Sequence, residues 1–371
     1  MSNDKITAIT MPKWGLSMTE GKVMEWLVEE GTDLNVGDPV VDIETEKIAN
    51  TFEALDPGIL RKKVANLDDI LPIGALLAVL APSEVPDNEI DVFVSEFLEN
   101  YVPPDPEEED EEESAYQYID ADGYRLRYSK MGTGVEKIIL IHGFGGDADR
   151  WLFTQQPLSE KATVYAFDLP GHGRSSKNVN DGTVSGLAET VMAFMDSLDI
   201  AEARLIGHSL GGAIALQSAI SYPNRVTRLD LIAPAGLGGE INIDYINGFI
   251  ETDNRKEMKG LLQQLVADPE LVNRALVNDM LQFKRTDGVS DALSQIAAGF
   301  INDEGRQSRI MRDEAALLTI PINLIWGSLD KIIPADHARD LPAQINTTVL
   351  DGYGHLVQLE AATEVNAVLE L

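Results

Sequence analysis

Ser209 lies in the pattern Gly207-x-Ser209-x-Gly211. An apolar strand-like run, RLIGHS, precedes it and a helical stretch over 211–222 follows. That is the strand–turn–helix context in which a serine serves as a nucleophile. Small residues permit a sharp turn that lifts the hydroxyl clear of the sheet, and the helix N-terminus favours negative charge developing there. A serine hydroxyl is a weak nucleophile, so a base is required. Of the five histidines, His142 and His172 sit in glycine turns, His208 adjoins the serine, and His337 precedes a helical stretch. His355, in DGYGHLVQLE, follows the last strand-like run, TTVLDG, where a base belongs in this chain order. Asp330, in GSLDKIIP after the run PINLIWG, is the expected orienting acid. The glycine-rich HGFGGD (142–147) adds the Phe144 backbone N–H to that of Leu210, the pair expected to form an oxyanion hole. Singly these signals are weak. Together, in the order Ser209, Asp330, His355, they describe an acyl-handling site, with the same fold lacking a working serine as the alternative.

Lys47 raises a second chemistry. It stands in ETEKI, after Glu44 and Glu46, at what reads as a hairpin tip. Around it runs a near-repeat at an offset of 37 residues: GKVMEWLVEEGTDLNVGDPVVDI from Gly21 and GILRKKVANLDDILPIGALLAVL from Gly58. Gly21/Gly58, Val23/Leu60, Leu34/Leu71, Gly37/Gly74 and Ile43/Leu80 coincide. Short strands separated by turn residues predict two similar β-halves packed as a small sandwich, with Lys47 at their junction.

The elements that must position these residues fall into three regions. Residues 84–113 hold fourteen acids and no Lys or Arg. PPDPEEEDEEES (103–114) is a self-repelling, proline-interrupted run, expected to stay extended. Linker is expected over 83–115, with a short helix at 89–101. Ile90, Phe93, Val94, Phe97, Leu98 and Tyr101 recur there at helical spacing, a stripe that serves equally to dock a partner or to pack on the chain's own domain. From about Tyr116 the pattern changes. A hairpin turning at Asp122-Gly123 is followed by apolar runs KIILIH, TVYAFD, RLIGHS, VTRLDLIAP and PINLIWG, separated mostly by helical stretches. Such alternation predicts a mainly parallel sheet covered on both faces. The strand-poor stretch 237–318 interrupts it as an inserted helical cap, and DLPGHGRS (168–175) reads as a turn-forming structural element.

Composition excludes several classes. The chain has no cysteine, which removes disulfides, thiolate metal sites and cysteine nucleophiles, and no metal is expected. The net charge of −33 argues against nucleic acid. An anionic substrate would need a local cationic pocket that bulk composition does not reveal. No signal peptide is visible at MSNDKITAIT, and LPIGALLAVLAP is too short and broken to span a bilayer. A soluble, cytoplasmic protein without membrane contact is expected.

The module 4–82 resembles a lipoyl domain. ETEKI matches the usual acidic-x-acidic-lysine tip, whereas related biotin carriers place methionine on both sides of the lysine. NLDD (66–69) departs from the Glu-Gly usual there. Residues 116–371 resemble an α/β-hydrolase with a helical cap at about 237–318. The whole chain is therefore read as multidomain, a small all-β lipoyl sandwich followed by an α/β-hydrolase fold. Lipoyl module, acidic linker and hydrolase domain on one chain closely resemble the dihydrolipoamide acetyltransferase components of acetoin-cleaving dehydrogenase systems. Ordinary 2-oxoacid dehydrogenase acyltransferases use a His-x-x-x-Asp-Gly motif, which follows none of the five histidines here. The resemblance implies lipoate on Lys47, an acetyl group passed to coenzyme A, a thiamine-diphosphate-dependent acetoin dehydrogenase component and a dihydrolipoamide dehydrogenase as partners, and a homo-oligomeric core. Two other readings stay open: a thioesterase or esterase bearing a lipoyl carrier, and a non-catalytic scaffold.

Overall fold

The 37-residue repeat is realised as two four-stranded sheets with matching strand orders. The computed structural model describes residues 5–12, 18–45, 49–102 and 116–369, in two units. In the first unit the strands are β1 (Thr7–Thr10), β2 (Glu20–Trp26), β3 (Asp33–Leu34), β4 (Pro39–Glu44), β5 (Ala49–Glu53), β6 (Gly58–Lys63), β7 (Ile70–Pro72) and β8 (Leu76–Leu80). One sheet runs β1-β8-β6-β3 and the other β5-β4-β2-β7. The shift of 37 maps β2 onto β6, β3 onto β7 and β4 onto β8, with β1 and β5 completing the two halves. Repeat-related side chains meet in one core: Val23 with Leu60, Val40 with Leu77 and Ile43 with Leu80 are all buried there. Asp68, in the segment that departs from the lipoyl pattern, has φ 66°, and its repeat partner Gly31 has φ 94°. The position demands a left-handed backbone, which a short acidic side chain tolerates. The Lys22 ammonium, 2.6 Å from Asp68 Oδ1, adds an ion pair there. The β4–β5 pairing closes at Glu44 and Ala49. Lys47 lies outside the described residues, as does the acidic run 103–115.

Helix α1 (Asp87–Asn100) corrects the expected linker. Its Ile90 and Val94 are buried against Ile6, Leu76 and Val79, with Phe93 and Phe97 packed beside them. Arg61 donates to the Pro82 carbonyl at 2.8 Å, and Lys62 pairs with Asp91 at 2.5 Å. Residues 87–100 thus belong to the first unit rather than to an open tether, and its own domain covers Ile90 and Val94 of the apolar stripe while Leu98 stays exposed.

The second unit is built on one sheet of eight strands: β9 (Tyr116–Ala121), β10 (Tyr124–Met131), β11 (Lys137–Ile141), β12 (Thr163–Phe167), β13 (Ala203–His208), β14 (Val226–Ile232), β15 (Ile322–Gly327) and β16 (Ile345–Leu350). Their order is β16-β15-β14-β13-β11-β12-β10-β9. β9 and β10 pair antiparallel, and the strands from β12 to β16 pair parallel. Helices α2 (Leu152–Ser159), α3 (Val184–Ser197) and α4 (Leu210–Ser221) fill the crossovers. The central strands are buried at every position of β12, β13 and β15, which is why they read as unbroken apolar runs. Between β14 and β15 lie α5 (Ile243–Glu251), α6 (Arg255–Leu262), α7 (Arg274–Lys284), α8 (Val289–Phe300) and α9 (Arg312–Ala315). After β16 come α10 (Val357–Glu360) and α11 (Ala362–Val368). From β11 the chain passes to β12 on one side and returns to β13 on the other. Ligands in open parallel sheets bind outside the carboxyl ends of the strands at such a switch point. Among the described residues no helix is long and apolar enough to cross a membrane.

Candidate active site

Ser209 stands where β13 ends and α4 begins, with φ 54° and ψ −120°. A non-glycine residue at positive φ is strained and is held by its surroundings. Here the Ser209 N–H donates to the Ile232 carbonyl at 3.0 Å, and its own carbonyl accepts from the N–H groups of Gly212 and Ala235, each at 2.9 Å. The motif glycines make this crossing possible. A Cβ on Gly207 would stand 2.3 Å from the Gly211 oxygen, and one on Gly211 would stand 2.1 Å from the Ile141 oxygen.

His355 and Asp330 reach the same end of the sheet on the loops after β16 and β15. His355 Nδ1 lies 2.7 Å from Asp330 Oδ2, with both side chains buried. The rest of the Asp330 carboxylate is satisfied as an acceptor: Oδ1 takes the N–H groups of Ile332 (2.8 Å) and Ile333 (3.0 Å), and Oδ2 also takes Trp326 Nε1–H (3.0 Å). A carboxylate facing Nδ1 assigns the proton to that nitrogen and leaves Nε2 as the basic one. Ser209 and His355 line one cleft of about 590 Å³, open solvent included. Phe144 and Leu210 line it too, and among the described residues neither backbone N–H has a protein acceptor. All the residues expected from sequence in this half are therefore gathered at one place, and Lys47 lies outside the described residues.

Three features escaped sequence reading. His208 Nε2–H donates to the His355 carbonyl at 3.0 Å, and the two rings lie tilted at 53° with centroids 4.8 Å apart. Burial and the neighbouring His355 hold His208 well below the usual histidine range, so it remains a neutral clamp on the base. Glu360 accepts from Gly354 N–H at 3.0 Å and Ala267 N–H at 2.6 Å, tying the His355 loop to the segment after α6. Burial raises the Glu360 pKa. Arg150 also lines the cleft. The cleft is otherwise largely apolar, walled by Tyr245 and Phe249 from α5, Met280 from α7 and Phe300 from α8.

DLPGHGRS is a structural hub, as its turn residues imply. Asp168 is fully buried, pairs with Arg127 at 2.7 Å, and accepts the N–H groups of Ala148 (2.8 Å) and Arg174 (2.7 Å). His142 accepts the Leu169 N–H at Nε2 (3.0 Å), while its Nδ1 faces the Gly143 carbonyl at 2.8 Å. That network fixes the 142–146 loop beside Ser209. No metal-ligand cluster occurs among the described residues.

The family described as "alpha/beta hydrolase fold" matches residues 137–362, and that described as "Biotin-requiring enzyme" matches residues 7–80. A dihydrolipoyllysine-residue acetyltransferase component of the acetoin cleaving system from Cupriavidus necator is 45% identical, over 98% of this chain and 96% of its own. The component of the same name from Pseudomonas putida is 46% identical, over 98% and 97%. Among solved structures, a meta-cleavage product hydrolase from Pseudomonas fluorescens IP01 superposes with a TM-score of 0.63 at 25% identity, over 68% of this chain and 95% of that one. A lipoyl domain and an α/β-hydrolase fold on one chain, matched over 98% of its length by these two relatives, place it in the family of dihydrolipoyllysine-residue acetyltransferase components of acetoin cleaving systems.

Proposed function

We propose that the second unit transfers an acetyl group between thiols through an acyl-Ser209 enzyme, as the acetyltransferase of an acetoin cleaving system. The observation that carries this reading is the strained Ser209 sharing an apolar cleft with a His355 oriented by a buried, fully hydrogen-bonded Asp330. His355 Nε2 takes the Ser209 proton as Oγ attacks the acetyl carbon of a thioester. The Phe144 and Leu210 N–H groups receive the charge on the carbonyl oxygen. The donor sulfur leaves as thiolate and is protonated in solvent. Coenzyme A, its thiol proton released to solvent, attacks the acetyl carbon through sulfur, and His355 returns its proton to the departing Oγ. Donor and product are both thioesters of similar energy. The protein's task is therefore selectivity, and the apolar walls from α5, α7 and α8 support it by limiting water at the acyl-enzyme.

Lys47 is the proposed attachment point of lipoate, whose dithiol supplies the carrier for the acetyl thioester. The relatives' names place them in an acetoin cleaving system. For this chain the proposed partners are a thiamine-diphosphate-dependent acetoin dehydrogenase component and a dihydrolipoamide dehydrogenase, around a homo-oligomeric core. The test is transfer from free acetyl-dihydrolipoamide to coenzyme A by the wild type and by Ser209→Ala. Loss of several orders of magnitude in the variant is expected, with acetyl found on Ser209 of the wild type when coenzyme A is withheld. Rapid release of acetate without coenzyme A would identify a hydrolase instead. Full activity of Ser209→Ala would remove the acyl-serine.

A further inference from the structure

Among the described residues, Arg150 is a cation in the cleft that no carboxylate pairs with. It lies in the 3-10 turn Ala148–Trp151, directly after the 142–146 loop, and is anchored by the fully buried Trp151 beside it. Its Nη2 donates to Met280 Sδ of α7 at 3.5 Å. Among the described residues it makes no ion pair. The nearby acids serve other groups: Asp147 accepts the Asp149 N–H at 3.1 Å, and Asp149 accepts from Tyr116 and faces Arg127 at 3.8 Å. The guanidinium thus lies half-buried in the cleft that holds Ser209 and His355, largely among apolar side chains. A half-buried charge among apolar side chains is suited to a ligand that supplies its partner.

The cleft narrows the ligand's chemistry. A phosphate or carboxylate is recognised by several convergent donors, commonly a bidentate fork with further N–H groups. Here a single guanidinium faces phenyl rings, aliphatic side chains and a thioether. A thiolate suits that setting, being weakly hydrated and requiring one cation, and the guanidinium already donates to a sulfur. Thiols adjacent to Arg or Lys ionise well below their usual pKa near 8.5. Water, with a pKa near 16, stays un-ionised beside the same cation.

We propose that Arg150 is the thiol-selecting group of the site: its guanidinium holds the reacting sulfur as thiolate beside Ser209, so that a thiol rather than water takes the acyl group. The inference rests on the acyltransferase reading and deepens it. In the second half-reaction the acceptor thiol releases its proton to solvent on entering. Its sulfur then bonds to the acyl carbon, the carbon–Oγ bond breaks with its electron pair on Oγ, and Oγ takes the proton held on His355 Nε2. The first half-reaction runs the same steps in reverse with the donor thiol, which leaves as thiolate and is protonated in solvent. One cation therefore serves both thiols.

The experiment measures partition of the acetyl group, delivered by p-nitrophenyl acetate, between water and coenzyme A across about pH 5.5–9. Wild type, Arg150→Met and Arg150→Lys are compared, each checked for folding by thermal melting. In the wild type the pH midpoint for thiol transfer should lie about one unit or more below that of free coenzyme A. Arg150→Met should return the midpoint to the free-thiol value and lower the thiol-to-water ratio about tenfold or more, a ratio read on the acyl-enzyme whatever the rate of its formation. Arg150→Lys should restore most of both. An unmoved midpoint in Arg150→Met overturns the proposal, even if the rate falls, because a structural role changes rate without changing the acceptor's ionisation. Parallel assay of Ser209→Ala with acetyl-dihydrolipoamide separates the two ideas. Full transfer there removes the acyl-serine, while the Arg150 midpoint remains readable for direct thiol attack.

Discussion

His355 Nδ1 and Asp330 Oδ2 are 2.7 Å apart, and Asp330 has no lone pair pointed at solvent because Trp326, Ile332 and Ile333 occupy the rest of its carboxylate. This relationship holds the imidazole in one tautomer and one orientation. Asp330→Asn keeps an oxygen for the Ile332 and Ile333 N–H groups but turns an amide N–H₂ toward Trp326 Nε1–H and His355. The imidazole must then accept at Nδ1 and carry its proton on Nε2, the wrong nitrogen for a base. Acetyl transfer should fall by about three to four orders of magnitude. The added donor–donor clash should destabilise the second unit by about 1–3 kcal/mol. Transfer kinetics and a denaturant melt on the same protein check both, and near-normal transfer by a folded Asp330→Asn protein would contradict the assigned role.

Much of this site was legible because its signals are local. Gly207-x-Ser209-x-Gly211 records a crossing so tight that neither glycine admits a Cβ. Parallel strands buried on both faces leave unbroken apolar runs, and the loops that follow them bear Asp330 and His355 in readable order. What stayed hidden depends on segments far apart in sequence. Arg150 is defined by Met280, 130 residues away, and Glu360 by Ala267. His208 was visible only as the neighbour of a serine, since its partner is a backbone carbonyl. The amphipathic stripe of α1 announced a covered face without naming the cover, which is β8 and its neighbours.

Helix α1 should behave as part of the first unit's core. Ile90 and Val94 are buried against Ile6, Leu76 and Val79. Truncating Ile90 to Ala removes buried apolar volume and should cost about 2–4 kcal/mol, while an exposed control, Val92→Ala, should change little. Thermal melting of the full chain, followed on the first unit's transition, reads the difference. Equal, small shifts for both variants would mean that the helix face is free to dock elsewhere.

Buried histidines should make the second unit acid-sensitive. Burial pushes His142 down to about 4 and His172 down to about 3, from an ordinary 6.5. Below about pH 6.5 the unfolded chain takes up protons that the folded chain refuses. Their stabilising contribution is thus complete above 6.5 and is lost as pH falls toward the folded values. His172→Asn keeps a donor for the Pro170 carbonyl, which now lies 3.0 Å from Nδ1, and removes one titrating group. Its melting temperature should drop less than the wild type's between about pH 7.5 and pH 4.5. An identical drop would show that His172 contributes nothing to the acid sensitivity.

The carrier lysine can be tested apart from the transfer site. The two halves of the first unit are related by the 37-residue shift, yet they differ at their ends. Where β4 and β5 are joined between Glu44 and Ala49, the equivalent strands β8 and β1 are the last and first of the sandwich and pair at Thr7 and Leu80. A hairpin that presents a modified lysine can therefore occur at the β4–β5 junction and not at its symmetry mate, and Lys47 is the lysine of that junction. Expression in a lipoate-competent host should add a single lipoyl mass to the peptide containing Lys47. Lys47→Arg should lose that mass, and turnover in an assembled acetoin cleaving complex should fall to background. The same variant should still transfer acetyl from free acetyl-dihydrolipoamide to coenzyme A at close to the wild-type rate, because the described residues that line the cleft around Ser209 belong to the second unit. Lipoate on another lysine would overturn the assignment. Loss of both activities together would show that carrier and transfer site do not act as separate stations.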